Sequence, residues 1–321
     1  MKLIPQKYHN LLRVIVGLAL FVWLLSLVDL KEVMALFWQG DLTFLGIGSL
    51  LLILAYCGLH GLRFHYCINK ISPNPATSYR LFFLGYLFNN LFPGSAGGDA
   101  IRLYYLRNMS TTGWGKPAGL LLIFRLAGFV TLWGAGAVYI IANYSLIIDI
   151  FGKHIQFDLT AGMQTVLIGL IVFLAAVLIY YSQSIKEHIV KFLTDVFKTF
   201  GLFNLKTYIV ILALSMGFHF VRMAGFYFLV LFFGGHLEYI HFLFVLFVTG
   251  IAISIPVSFG ALGLMEGAIG GTLVLFGVSV AAATGVALAH RLVLLIIAAV
   301  GGIVYMIGIP EQHFKNDKQE I

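Results

Sequence analysis

Residues 89–102 read NNLFPGSAGGDAIR, with two Asn, one Pro, three Gly, one Asp and one Arg lying between long apolar runs. In hydrocarbon every backbone N–H and C=O needs a partner, so such a break is tolerated only where protein or water covers it. Pro93 removes a donor and stops the incoming helix. Gly97 and Gly98 permit a tight reversal, and Asp99 opens the next helix with Arg102 one turn along. The free N–H groups at that helix start favour an anion. Asp99 reads equally well as an N-cap and as half of an i,i+3 ion pair with Arg102.

The chain around this break has the composition of a membrane protein. Its 321 residues are 60% hydrophobic and 10% charged, with a mean hydropathy of +0.98. A soluble domain carries about 25% charged residues. One membrane domain over 1–321 is expected, all-α, since helices satisfy their own backbone in lipid. Lys2, Lys7 and Arg13 before the apolar run at 14–28 resemble a signal peptide, but no small-x-small cleavage site follows. That run is expected to stay as an uncleaved first helix. Cys57 and Cys67 fall on one expected helix about 15 Å apart, too far to pair. The net charge of +7 is scattered over loops and helix ends, which argues for orientation in a bilayer and against nucleic acid. No Walker, H-E-x-x-H, C-x-x-C or G-x-S-x-G pattern occurs. No enzyme activity, cofactor or metal is therefore expected.

Apolar runs long enough to span are 11–28, 44–68, 117–142, 161–181, 207–233, 241–258 and 278–308, about seven in all. Two shorter pieces, 80–92 and 262–277, lie beside Gly/Pro-rich breaks and read as broken or re-entrant half-helices. The segments between spans sort by charge. Those at 63–80, 102–116 and 182–206 are basic, whereas 29–43, 143–160 and 234–240 are acidic or neutral. The positive-inside rule then puts the N-terminus in the cytoplasm, provided 80–101 enters and leaves on one side.

The halves echo each other. "HGLR" at 60–63 has a counterpart in "HFVR" at 219–222. Each precedes a break, Pro93 to Asp99 in one case and Pro256, Gly260, Gly263 and Glu266 in the other. Each acid is followed at similar distance by an arginine in an apolar run, Arg125 after Asp99 and Arg291 after Glu266. On the charge assignment these halves, about 40–142 and 207–308, form an inverted repeat, a recurrent transporter plan whose site lies where the breaks meet. Gly263, Gly267 and Gly271 make two G-x-x-x-G steps that favour close helix packing, which leaves Glu266 unexplained. An intramembrane carboxylate costs about 2.5–3.5 kcal/mol and needs a partner or a purpose. Arg125, Arg222 and Arg291, with His60, His219 and His290, suggest a buried polar cluster. It reads either as structural ion pairs or as a site for an anionic ligand.

With "NN-x-x-P-x-x-x-GGD-x-x-R" from Asn89 and "P-x-x-x-GALG-x-x-E" from Pro256, the chain resembles the flippase-like family named for the transmembrane domain of lysylphosphatidylglycerol synthases. The likeness runs from about residue 10 to 308 and includes Arg125 and Arg291. It implies an inner-membrane protein that moves, or helps to move, an anionic phospholipid or polyprenyl-linked lipid. It also implies a stand-alone member lacking the soluble synthase domain, and Glu where this chain has Asp99. Arg102, Arg125, Arg222 and Arg291 would then hold a phosphate, helped by Asn89 and Asn90, with Asp99 and Glu266 balancing charge or exchanging protons. Glu266→Gln is expected to stop headgroup movement with the fold intact. Two other readings stay open: a non-transporting partner of a membrane glycosyltransferase or lipid-modifying enzyme, and a proton-coupled transporter of a small anion. Oligomeric state is not legible.

Overall fold

The computed structural model describes residues 30–92, 96–110, 113–154, 184–254 and 260–308. Every regular element among them is helical. In chain order they are α1 (Leu30–Gln39), α2 (Leu42–Ile68), α3 (Pro75–Leu91), α4 (Ala96–Met109), α5 (Gly115–Ala142), α6 (Tyr144–His154), α7 (Ser184–Phe200), α8 (Leu205–Phe232), α9 (Phe242–Ser254), α10 (Leu264–Leu275) and α11 (Val280–Ile307). Four of these, α2, α5, α8 and α11, are long and apolar enough to cross a membrane. At 28 residues, α5, α8 and α11 each extend about 42 Å, enough for the apolar layer and both interfaces. Their exposed apolar residues, such as Leu292, Ile296 and Ile303 on α11, form the surface that acyl chains would cover.

Local sequence sets the helix starts. Asp41, Asn74, Asn204 and Ser279 each accept a backbone N–H in the first turn of α2, α3, α8 and α11. Pro75 occupies the first helical position of α3, where its missing N–H costs nothing. Inside α2, Leu54–His60 winds as a π-helix. Such widened turns concentrate at functional sites.

The expected spans at 44–68, 117–142, 207–233 and 278–308 match α2, α5, α8 and α11. Those at 11–28 and 161–181 lie outside the described residues, as do Pro93 and Pro256. Of the expected span at 241–258, the described part forms the 13-residue α9, and residues 255–258 lie outside the described residues. The segments 29–43, 143–160 and 182–206, to which the apolar runs assigned no span, contain α1, α6 and α7. Helices α1 and α7 are charged, yet one face of each packs. Val33 of α1 joins the core, and Val196 and Thr199 of α7 are buried. Gly115 and Gly119 of α5 admit Asp195 and Thr199 of α7 closely.

Two apolar cores result. The larger joins α2, α8, α9, α10 and α11; the smaller joins the end of α2 with α3, α4 and α5. Helices α2 and α8 cross where Gly48 faces Gly225, a Cβ on either lying 3.1 Å from the other's carbonyl oxygen. The long helices reach across the molecule. Helix α11 from the second half packs on α3 from the first, and α5 from the first packs on α9 from the second.

Candidate functional site

The first break is held by short side chains and one arginine. Asn89, near the end of α3, accepts the Gly98 N–H at 2.7 Å. A Cβ on Gly98 would strike the Gly85 carbonyl and one on Gly97 the Phe92 side chain, so only glycine allows α4 to start this close to α3. Asp99 accepts Arg102 Nη1 at 3.1 Å through one oxygen and Arg125 Nε through the other. Arg102 also donates from Nη2 to Phe82 O at 2.9 Å and from Nε to Leu81 O at 3.4 Å. Its guanidinium crosses α3 at Gly85, where a Cβ would collide with it. The Asp99 carboxylate and two main-chain oxygens thus occupy every nitrogen of Arg102.

The second break is wound left-handed. Gly260, Ala261 and Gly263 have φ of 57°, 54° and 79°, and Ala261 is the one non-glycine residue with positive φ among those described. A non-glycine in that region costs of order 1–3 kcal/mol, so the surroundings must hold it. Arg291 of α11 does so, donating from Nη1 to Gly260 O at 3.0 Å and from Nη2 to Ala261 O at 3.4 Å. Its Nε pairs with Glu266, whose other oxygen accepts the Gly263 N–H at 2.8 Å at the start of α10. Both side chains are buried. This arrangement gives Glu266 its partner and its purpose.

The two breaks meet. Gly260 N–H donates to Phe92 O at 3.4 Å, and a Cβ on Gly260 would lie 3.1 Å from Asn90 Oδ1. Asn90 itself donates to Tyr86 O at 2.9 Å. A cavity of about 260 Å³ opens beside this contact. Asn89, Asn90, Asp99, Arg102, Arg125, Arg222, Gly260 and Arg291, all selected from sequence, line it together. Glu266 stands behind Arg291, and Gly97, Gly98 and Gly263 shape the turns.

Side chains that the sequence reading left out of the site complete the lining. Arg63 sits 4.5 Å over the Phe124 ring and donates to Ser215 Oγ at 3.0 Å. Tyr56 shares a 2.9 Å hydrogen bond with His290, and Tyr86 a 3.1 Å one with His60. A helical signal existed for two of these. Tyr56 lies four residues before His60 and Ser215 four before His219, hence on the same helix faces. Arg125 is partly exposed, its side chain at 34%, whereas Arg222 is buried among Tyr56, Phe218 and Phe226. Phe129, Leu132, Ile253 and Leu294 add an apolar wall. Five arginines therefore face Asp99 and the Glu266 behind them, a formal excess of three positive charges.

Compared with known protein families, residues 10–302 match the lysylphosphatidylglycerol synthase TM region. The chain belongs to this family. The match includes both breaks and all five arginines, which identifies a membrane protein linked to lipid handling. No curated protein matches the chain.

Proposed function

We propose that this member of the family moves an anionic lipid between the leaflets of the cytoplasmic membrane, with its N-terminus in the cytoplasm. The observation that carries the reading is the cavity where the breaks touch, which sets an excess of arginine against an apolar wall. That combination suits an amphiphile. Charge-assisted hydrogen bonds from guanidinium groups hold a phosphate, and the wall receives chain carbons. We read the segments around 80–101 and 255–275 as re-entrant and the halves 40–142 and 207–308 as an inverted repeat. The crossed packing of α11 on α3 and α5 on α9 supports this reading, since a long helix of each half packs on the helix that leads into the other's break. Transport rather than catalysis is the role proposed.

The test is reconstitution in vesicles containing fluorophore-labelled phosphatidylglycerol, bleached from outside by an impermeant reductant. Protein-free vesicles protect about half of the label, because lipid with so large a polar group does not cross unaided. Vesicles holding the protein should lose well beyond half. Bleaching equal to that of empty vesicles sinks the transport reading. Co-purification of a lipid-modifying enzyme in that case would put a partner role in its place.

A further inference from the structure

Arg102 and Arg291 spend their donors on carboxylates and main-chain oxygens. Arg63 and Arg222 do not. Both line the cavity, at 4% and 5% exposure, and among the described residues no carboxylate lies within ion-pair distance of either. Their Nε atoms have no hydrogen-bond partner, nor does either ring nitrogen of the adjoining His219, itself 5% exposed. Burying a charge without a counter-charge is costly, and a site keeps such groups only where something compensates them.

Their placement is built rather than incidental. Each guanidinium carbon lies 5.9 Å from the centroid of the same Phe218 ring. The guanidinium carbon of Arg63 lies 4.5 Å from the Phe124 ring centroid, and that of Arg222 lies 5.6 and 5.7 Å from those of Tyr56 and Phe226. Cation–π contact of this kind holds a guanidinium without using its N–H groups. The two residues also occupy matching places, His60-x-x-Arg63 on α2 and His219-x-x-Arg222 on α8, on helices locked together at Gly48 and Gly225. Two guanidinium groups with unspent donors in one cavity offer an oxyanion charge-assisted hydrogen bonds, and His219 can turn an N–H to the same cavity.

We propose that Arg63 and Arg222, gathered at Phe218, seat the phosphate of a lipid headgroup that carries no ammonium group of its own. The proposal rests on the transport reading above and names its anion seat and substrate class. Asp99 in the lining and Glu266 behind Arg291, the carboxylates at the cavity among the described residues, are already engaged by Arg102, Arg125 and Arg291. An ammonium entering with the phosphate finds no acid to accept it and meets excess positive charge. Phosphatidylglycerol fits this chemistry; phosphatidylethanolamine fits less well, and lysylphosphatidylglycerol, with two amines, least.

Native mass spectrometry of the purified full chain, titrated with each of these three lipids and with soluble glycerol 3-phosphate as competitor, tests the assignment. The wild type should favour phosphatidylglycerol over both amine-bearing lipids by about tenfold or more. Arg63→Gln and Arg222→Gln should each weaken that binding about tenfold, the loss expected for a charge-assisted hydrogen bond. Arg63→Lys should keep part of it, and Lys206→Gln, at the exposed start of α8, should keep all. The lipid-free unfolding midpoint of Arg222→Gln should not fall below that of wild type, since the change removes an uncompensated buried charge.

Wild-type binding by both glutamine variants, with bleaching in vesicles retained, overturns the seat and leaves the transport reading standing. Lost binding accompanied by a lower lipid-free midpoint overturns it too, because the arginines would then be structural. Equal binding of lysylphosphatidylglycerol overturns the substrate class, and displacement by glycerol 3-phosphate at similar concentration overturns the lipid as occupant. Wild-type bleaching no greater than that of empty vesicles removes the transport reading and this proposal with it.

Discussion

Glu266 shows how one side chain can look functional in a sequence and be committed to structure in the fold. Read from sequence it was an unexplained acid between glycines; in place it joins Arg291 to the left-handed turn at Gly260 to Gly263. Replacing it with Gln leaves the Gly263 N–H an acceptor but strands Arg291 as a buried, unpaired cation. Breaking a buried pair in this way costs about 3–5 kcal/mol. Glu266→Gln should therefore lower the thermal unfolding midpoint in detergent, contrary to the expectation of an intact fold, and an unchanged midpoint would reject its holding role. The same geometry redistributes the arginines. Arg102 and Arg291 hold backbone, while Arg63 and Arg222 keep donors unspent. Spacing alone could not separate these roles, because all four are arginines in apolar surroundings.

At the level of elements, glycines determine which helices can touch. A Cβ on Gly301 of α11 would land on the Phe83 carbonyl of α3, whereas one on the neighbouring Gly302 would meet nothing within 4 Å. Gly301→Val should push α11 from α3 and destabilise by about 1–3 kcal/mol, the cost of overpacking. Gly302→Ala should be neutral or stabilising by up to about 1 kcal/mol, through helix propensity alone. Midpoints of the two variants, measured side by side, check the contact; equal shifts would contradict it. The long apolar elements were legible as runs, and the starts of α2, α3 and α8 at Asp41, Asn74 and Asn204 follow capping rules. Helices α1 and α7 were not legible as helices, since their charges masked a face that packs only when Val33 or Val196 finds a core.

Over the whole molecule, the lipid-facing belt makes a depth prediction. Trp133 lies well inside α5 and is 47% exposed, while Trp114 precedes that helix and Trp38 nears the end of α1, both exposed. In single-tryptophan variants reconstituted with brominated lipids, Trp133 should be quenched most by bromines deep in the acyl chain and the other two by shallow ones. The reverse order would misplace the bilayer. Membrane class, all-helical architecture, the two breaks and their charged residues were properties of the sequence by itself. Hydrophobic length and the cost of unpaired backbone in lipid act on contiguous residues, and contiguity is what a sequence displays. Only the tertiary structure decided that Gly260 rests on Asn90, that α11 and α5 cross to the opposite half, and which arginines stay unspent. Those outcomes depend on which donor meets which acceptor across 20 to 31 residues or more of chain. The choice is made by close packing in three dimensions, and no local pattern of residue types encodes it.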